Sequence, residues 1–277
     1  MGSHWLIESN EMQQKLARKF SPILIFAVLL ISCDSDVMEA YEEKPVVELY
    51  NKAMDSLEAE KLKAAATQFD EVERQHPYSM WATKAQLMSA YTYYQANRYD
   101  DAIAALERFI QLHPVHNDTP YAHYLKGLCY YEQISDVARD QKMTELAMNA
   151  LEDVIKKFPN SKYAKDARLK LDLTVDHLAG KEMEIGRFYQ TNGHLLAAVN
   201  RFRIVVDRFD TTTHTPEALH RLTECYLSLG LSDEAKKSAA VLGHNFPGSE
   251  WYEDSFYLIQ GGPPDKSTPE NPWYIFW

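Results

Sequence analysis

TKAQLMSAYTYYQANRYDDAIAALERFIQLHP, residues 83–114, decides the reading of this chain. It reads as two helices around a tight turn at Gln95–Tyr99. On the first helix a small Ala90 precedes Tyr93 by three positions. On the second, Ala102, Leu106 and Phe109 form an i, i+4, i+7 stripe that Pro114 terminates. A lone hairpin leaves such a stripe half exposed, so copies of it are expected on either side.

The copies are present. Ala-x3-apolar-x2-apolar-x4-Pro occurs at Ala65/Phe69/Val72/Pro77, Ala102/Leu106/Phe109/Pro114, Ala147/Leu151/Val154/Pro159 and Ala235/Ala239/Leu242/Pro247. It occurs again at Ala198/Phe202/Val205, with Asp210 in the proline's place. Each copy follows a helix with a small residue: Ala53, Ala90, Gly127, Gly186 and Thr223. From the second copy on, a Tyr stands three later, at Tyr93, Tyr130, Tyr189 and Tyr226. The pattern resembles the tetratricopeptide repeat, in which the small residue lets the paired helices approach closely. The expected fold is all-α, a superhelix of five helix hairpins over residues 45–247.

Two spacings break the regularity. The small residue precedes the Ala by 12 positions in four copies and by 20 in the third, which places about eight extra residues near Ile134–Gln141. The terminal Pro or Asp precedes the next small residue by 13 positions three times, but by 27 from Pro159 to Gly186. Those 14 extra residues are almost four helical turns, so the buried face is kept. Lys162–Thr191 therefore reads as one long helix in the fourth repeat, stopped by Asn192-Gly193, with Gly180 as a potential break.

Composition narrows the function. The chain has 277 residues, 45% of them hydrophobic, only 10 Gly and no sustained two-residue alternation, which disfavours a sheet. A net charge of −11 without a Lys/Arg block argues against nucleic acid as a partner. Cys129 and Cys225 occupy equivalent places two repeats apart. Helices packed roughly 8–10 Å apart hold them beyond disulfide range, and they read as small buried thiols.

Cys33 reads differently. Lys15, Arg18 and Lys19 precede an apolar run, residues 22–31, that is followed by Ser32-Cys33. A basic segment, a short apolar core and a small residue before the cut make an export signal over residues 1–32. Residues 1–11 lengthen the basic segment unusually, which makes Met12 a candidate start. Leu30-Ile31-Ser32-Cys33 resembles the bacterial lipobox, in which the Cys is acylated and becomes the mature N-terminus. Residues 33–44 then form an acidic tether. After the repeats, Gly248–Gln260 reads as a capping helix. Residues 261–277 hold four prolines and end in Trp273-Tyr274-Ile275-Phe276-Trp277; they show no periodicity and are expected to be disordered.

No catalytic constellation is present: there is no Gly-rich phosphate loop, no G-x-S-x-G elbow, and no acid pair placed in a cleft. His113-x-x-His116 has the spacing of two metal ligands, but Pro114 interrupts it and no third ligand accompanies it, so it reads as a turn. No enzyme activity, metal or cofactor is expected beyond a covalent lipid on Cys33. A helical-solenoid lytic transglycosylase would need a separate globular cleft, and no stretch is long enough to supply one.

Particular strings carry a closer resemblance. They are His76-Pro77-Tyr78-Ser79, Tyr91-x-Tyr93-Tyr94, Arg108-Phe109-Ile110-x-Leu112-x-Pro114-x-His116 and Tyr121-x-x-Tyr124-x-x-Gly127-Leu128. Arg139-Asp140, Phe158-Pro159-Asn160-Ser161 and Val199-Asn200-Arg201 complete the set. With the lipobox and the enlarged third hairpin, they make the chain similar to the BamD family of the outer-membrane barrel-assembly complex. The resemblance implies a lipid-anchored outer-membrane protein that faces the periplasm. It implies docking on the periplasmic domains of the insertase BamA, contact with other subunits of that complex, and receipt of unfolded outer-membrane proteins. Asn200 and Arg201 match the family's BamA-contacting string, and Arg201 is expected to reach a partner carboxylate. Tyr91, Tyr94 and Tyr124 fall off the repeat's core register and are candidates for a groove that takes extended, aromatic-ended peptides. Asp34 departs from the pattern: after the Cys it signals inner-membrane retention in enteric bacteria, yet the outer membrane is expected here. The tail departs too, and its alternating Trp273, Ile275 and Trp277 imitate such a peptide. The alternative to an assembly scaffold is another periplasmic repeat lipoprotein, one that coordinates cell division or envelope remodelling.

Overall fold

A computed structural model describes residues 44–260 of the chain. The expectations for the export signal, Cys33 with its tether, and the aromatic tail lie outside the described residues. Residues 45–260 form one compact unit. Eleven helices and no strands are found among the described residues. They are α1 (Val46–Glu58), α2 (Leu62–Gln75), α3 (Met80–Gln95), α4 (Tyr99–Leu112), α5 (Thr119–Tyr131) and α6 (Lys142–Lys157), followed by α7 (Lys162–Thr191), α8 (Leu195–Arg208), α9 (Thr215–Ser228), α10 (Ser232–Asn245) and α11 (Glu250–Gln260). Consecutive helices pair as hairpins, and each hairpin packs on the next.

The repeat register holds throughout. All fifteen positions of the Ala/apolar/apolar pattern are buried, none more than 5% exposed. Fully burying a side chain such as Phe69, Phe109 or Phe202 contributes about 1.5–3 kcal/mol. The small residues sit where paired helices cross. A Cβ on Gly127 would stand 3.1 Å from Leu151 Cδ2, and one on Gly186 would stand 2.4 Å from Phe202 Cε1.

The turns inside four of the five hairpins share one construction. Glu60, Asn97, Gly193 and Gly230 each occupy the middle of a three-residue linker with φ between 56° and 74°. The residue after each donates its N–H back across the helix end: Lys61 to Ser56, Arg98 to Tyr93, His194 to Tyr189 and Leu231 to Tyr226. These bonds satisfy carbonyls the helix would leave open, and the left-handed residue is what lets the chain reach them.

The long helix spans Lys162–Thr191, as its spacing predicts. Ser161 caps it by accepting from the Ala164 N–H at 3.2 Å. Its first half packs Tyr163, Ala167 and Leu171 against Leu151 and Val154 of α6. Its second half packs Leu178 and Met183 against Ala198 and Phe202 of α8. Gly180 does not break the helix: it is buried, and its missing side chain leaves room for His214, whose Nε2 would lie 3.1 Å from a Cβ there. The eight-residue insertion folds into the linker between α5 and α6. There Gln141 Nε2 donates to the carbonyls of Asp136, Val137 and Arg139, and Lys181 of α7 donates to the carbonyl of Ala138 at 3.0 Å.

Candidate functional site

First helices of neighbouring hairpins touch in sequence, α1 with α3, α3 with α5 and α5 with α7, and so form one continuous layer. The candidate tyrosines lie on it. Tyr91 and Tyr94 come from α3 and pack against the core of the second hairpin, as does Tyr121 from α5. Tyr124 of α5 stacks on Tyr163 of α7 with ring centroids 5.3 Å apart, and Tyr121 meets the same ring at 5.3 Å. Tyr121 is also coupled electrostatically to Tyr91, Tyr94 and Tyr163. Three helices thus contribute one aromatic cluster.

The hydroxyls are partnered. Tyr124 donates to the Asp166 carboxylate, Tyr91 accepts from Gln95 Nε2 at 2.8 Å, and Tyr94 stands 3.5 Å from Glu132 Oε1. Burial, with the nearby Glu132 carboxylate, pushes Tyr94 up to about 12, and burial also raises Tyr121 and Tyr124. The Tyr124 hydrogen bond, helped by Lys170, holds Asp166 below the usual carboxylate range. All five tyrosines remain partly exposed. They are therefore half core and half surface, whereas the repeat register alone puts Tyr91, Tyr94 and Tyr124 outside the packing. Tyr163 and Asp166 were not singled out from the sequence; a Tyr in the first turn of a helix next to the matched string was their only signal.

Asn200 is exposed on α8, and Arg201 beside it is partly exposed. Arg201 leaves the buried stripe of Ala198, Phe202 and Val205, but its guanidinium already has an intramolecular partner. Nη1 donates to Glu182 Oε2 of α7 at 3.0 Å, with the two side chains 37% and 20% exposed. One edge of the fork is thus held, and a partner acid would approach the rest. Further along, Arg187 of α7 donates to both oxygens of Glu217 on α9 at 3.0 Å, and Gln190 donates to Glu224 at 3.0 Å. Arg221 bridges Glu217 and Glu224. Burial opposes ionisation of Glu224, but His220, Arg221 and Gln190 hold its pKa below the ordinary value. This polar seam joins the fourth and fifth hairpins. A similar one joins the first two: Asp70 accepts from Ser89 and Tyr93, and Glu73 accepts from Gln86 and Arg108.

The remaining candidates are engaged within the fold. Nε2 of His113 lies 2.9 Å from Gln86 Oε1, and His116 Nδ1 accepts from the Asp118 N–H at 3.2 Å. Cys129 and Cys225 are fully buried, which pushes both thiols up to about 12. Cys33 lies outside the described residues.

A family model for outer membrane lipoproteins, YfiO, matches residues 42–242. The outer membrane protein assembly factor BamD of Caulobacter vibrioides is 53% identical over 219 residues, 79% of this chain and 72% of that one. The BamD of Rickettsia prowazekii is 46% identical, covering 89% of this chain and 98% of its own. That of Neisseria meningitidis serogroup A is 34% identical, covering 84% and 87%. The matched span takes in the hairpins that build the tyrosine layer and the α7–α8 surface around Arg201, and the chain therefore belongs to the YfiO family of outer membrane lipoproteins.

Proposed function

We propose that this chain is a non-enzymatic scaffold of outer-membrane protein assembly, anchored by lipid on Cys33 and facing the periplasm. In this reading the tyrosine layer receives extended segments of unfolded barrel proteins, and the surface around Asn200 and Arg201 docks on the insertase BamA. The relatives, each named an outer membrane protein assembly factor, support the role in general. One observation carries the receptor function: on the layer of first helices, Tyr91, Tyr94 and Tyr121 flank one core, and Tyr121 and Tyr124 pack on Tyr163, so three separate hairpins contribute. An extended peptide needs apolar shelves for its side chains and polar groups for its unpaired backbone, and a tyrosine ring with its hydroxyl supplies both. Because Tyr124 is committed to Asp166, the peptide's backbone would be met by Tyr91, Tyr94 and the Asp166–Lys170 pair.

The test is fluorescence anisotropy with a labelled C-terminal peptide of an outer-membrane barrel. Tyr91→Ala/Tyr94→Ala is expected to weaken binding about tenfold, as loss of aromatic anchors does at interfaces. Its helical circular dichroism is expected to match the wild type. Unchanged affinity would return these tyrosines to ordinary packing.

A further inference from the structure

The turns that join one hairpin to the next all fall on the same edge of the repeat stack, because each hairpin leaves where it entered. They share a construction. A capping residue (His76, His113, Phe158, Phe209 or Phe246) is followed by Pro77, Pro114, Pro159, Asp210 or Pro247 and then by one tip residue. In the first, third and fifth turns the serine N–H donates to the capping carbonyl alike: Ser79 to His76 at 3.0 Å, Ser161 to Phe158 at 3.0 Å, Ser249 to Phe246 at 3.1 Å.

What the equivalent positions carry differs sharply along the stack. The tips are Tyr78 and Val115 in the first two turns, and Asn160, Thr211 and Gly248 in the others. The last helical residue is Leu112 before the second turn, against Gln75, Lys157, Arg208 and Asn245 elsewhere. The first residue after the serine is Met80, against Lys162 and Glu250. Tyr78 is 102% exposed, Val115 95%, Met80 74% and Leu112 57%. The backbone does not require these side chains, since the same turn forms around Asn160. Four exposed apolar residues thus lie on one edge, at the two turns nearest the N-terminus.

We infer that this edge rests on a lipid surface, its tips in the interfacial layer of the membrane that holds the lipid anchor. The inference depends on the acylation of Cys33 proposed above. The 11 residues from Asp34 to Lys44 can span at most about 40 Å, which limits how far the first hairpin can stand from the bilayer. A tyrosine at an interface buries its ring and leaves its hydroxyl among headgroups. Lys84 and Arg108, both exposed on the adjoining helices, suit the same layer. Two shallow apolar turns cannot hold a protein on a membrane by themselves, but beside acyl chains they fix which face the stack presents.

The experiment uses the full acylated chain in vesicles of phosphatidylethanolamine and phosphatidylglycerol with brominated acyl chains. An environment-sensitive fluorophore is placed at Val115→Cys, and in a second sample at Asp233→Cys, an exposed position in the fifth hairpin. Cys129 and Cys225 are fully buried and stay unlabelled. The label at 115 is expected to be quenched at least about twofold more than that at 233, with emission shifted to the blue. Adding Tyr78→Asn and Met80→Lys, the residues of the third turn, is expected to bring quenching at 115 down to the level at 233 while the chain still floats with the vesicles and keeps its helical circular dichroism. A chain that does not float overturns the anchor and this inference with it. A chain that floats but shows equal quenching at the two sites overturns the inference alone, and would assign the edge to a protein partner.

Discussion

Replacing Gly186 with alanine should destabilise the chain by about 2 kcal/mol, while the same change at Gly127 should leave stability level or raise it. Both glycines occupy the small position of their repeats, and both are buried in helix interiors. Their surroundings differ. A Cβ at 186 would fall 2.4, 2.8 and 2.9 Å from three atoms of the Phe202 ring. That ring is fully buried among Met183, Ala198, Val205 and Leu222, so it has nowhere to withdraw without moving the core shared by α7 and α8. Overpacking of this kind costs about 3 kcal/mol at the upper end of its usual range, and the helix gains about 1 kcal/mol from alanine. At 127 the nearest atom is the terminal methyl Cδ2 of Leu151 at 3.1 Å, and the next stand at 3.5 and 3.7 Å. A few tenths of an ångström of side-chain adjustment relieves that, so the propensity gain survives. Urea unfolding followed by helical circular dichroism measures both. In a companion thermal melt, a difference of roughly 4–12 °C between the two variants is expected for a domain of this size. Equal stability of the two, or a Gly186→Ala chain as stable as wild type, would refute the claim that ring-to-backbone contact makes glycine necessary there.

Arg201→Ala should leave the urea midpoint nearly unchanged, because its half-exposed pair with Glu182 contributes at most about 1 kcal/mol, and should weaken binding to the periplasmic domains of BamA by about 2–5 kcal/mol; calorimetric titration checks this, and unchanged affinity removes Arg201 from the interface. Glu60 is held at φ 57°, where a glycine sits in two of the equivalent turns, so Glu60→Gly should stabilise the chain by about 1 kcal/mol, and an unmoved urea midpoint would count against a strained turn. Alkali should destabilise the tyrosine layer. An unfolded tyrosine loses its proton near pH 10, whereas Tyr94 retains it up to about 12 in the fold, so the unfolded state releases protons first and stability falls across that interval. Asp166 works in the opposite sense: its lowered pKa contributes stability above the unfolded carboxylate value, and that contribution is lost as the pH falls through the folded one. Urea midpoints across both pH ranges, compared with Tyr124→Phe, should show smaller slopes in the variant.

The repeat fold was legible because its determinants are local. An i, i+4, i+7 stripe, a small residue twelve positions earlier and a proline five positions after the stripe all act within one hairpin. The long helix was legible for the same reason: Ser161 caps it, Asn192-Gly193 provides the left-handed stop, and the 14 added residues keep the face in phase. The small position was identified, but its differing severity at Gly127 and Gly186 was not, because that depends on which side chain crosses from the partner helix.

The binding surfaces were legible only in part, for a geometric reason. A register counts the one stripe a helix buries inside its own hairpin. First helices are covered on a second flank by the first helix of the next hairpin, and that contact follows a different set of positions. Tyr91, Tyr94 and Tyr124 belong to this second set, so they are off the stripe and still half buried. Their partners lie far along the chain: Tyr124 reaches Asp166 across 42 positions, and Tyr94 approaches Glu132 across 38. The same holds for Arg201, whose exposure follows from the stripe of α8 while the acid beside it, Glu182, comes from the preceding helix. The tyrosines sit on that second flank, the exposed turn residues on an inter-hairpin edge, and Asn200 and Arg201 on the outer side of α8, all places where the repeat pattern leaves the choice of side chain open. Those are the positions at which a solenoid can acquire a partner without altering the packing that holds it together.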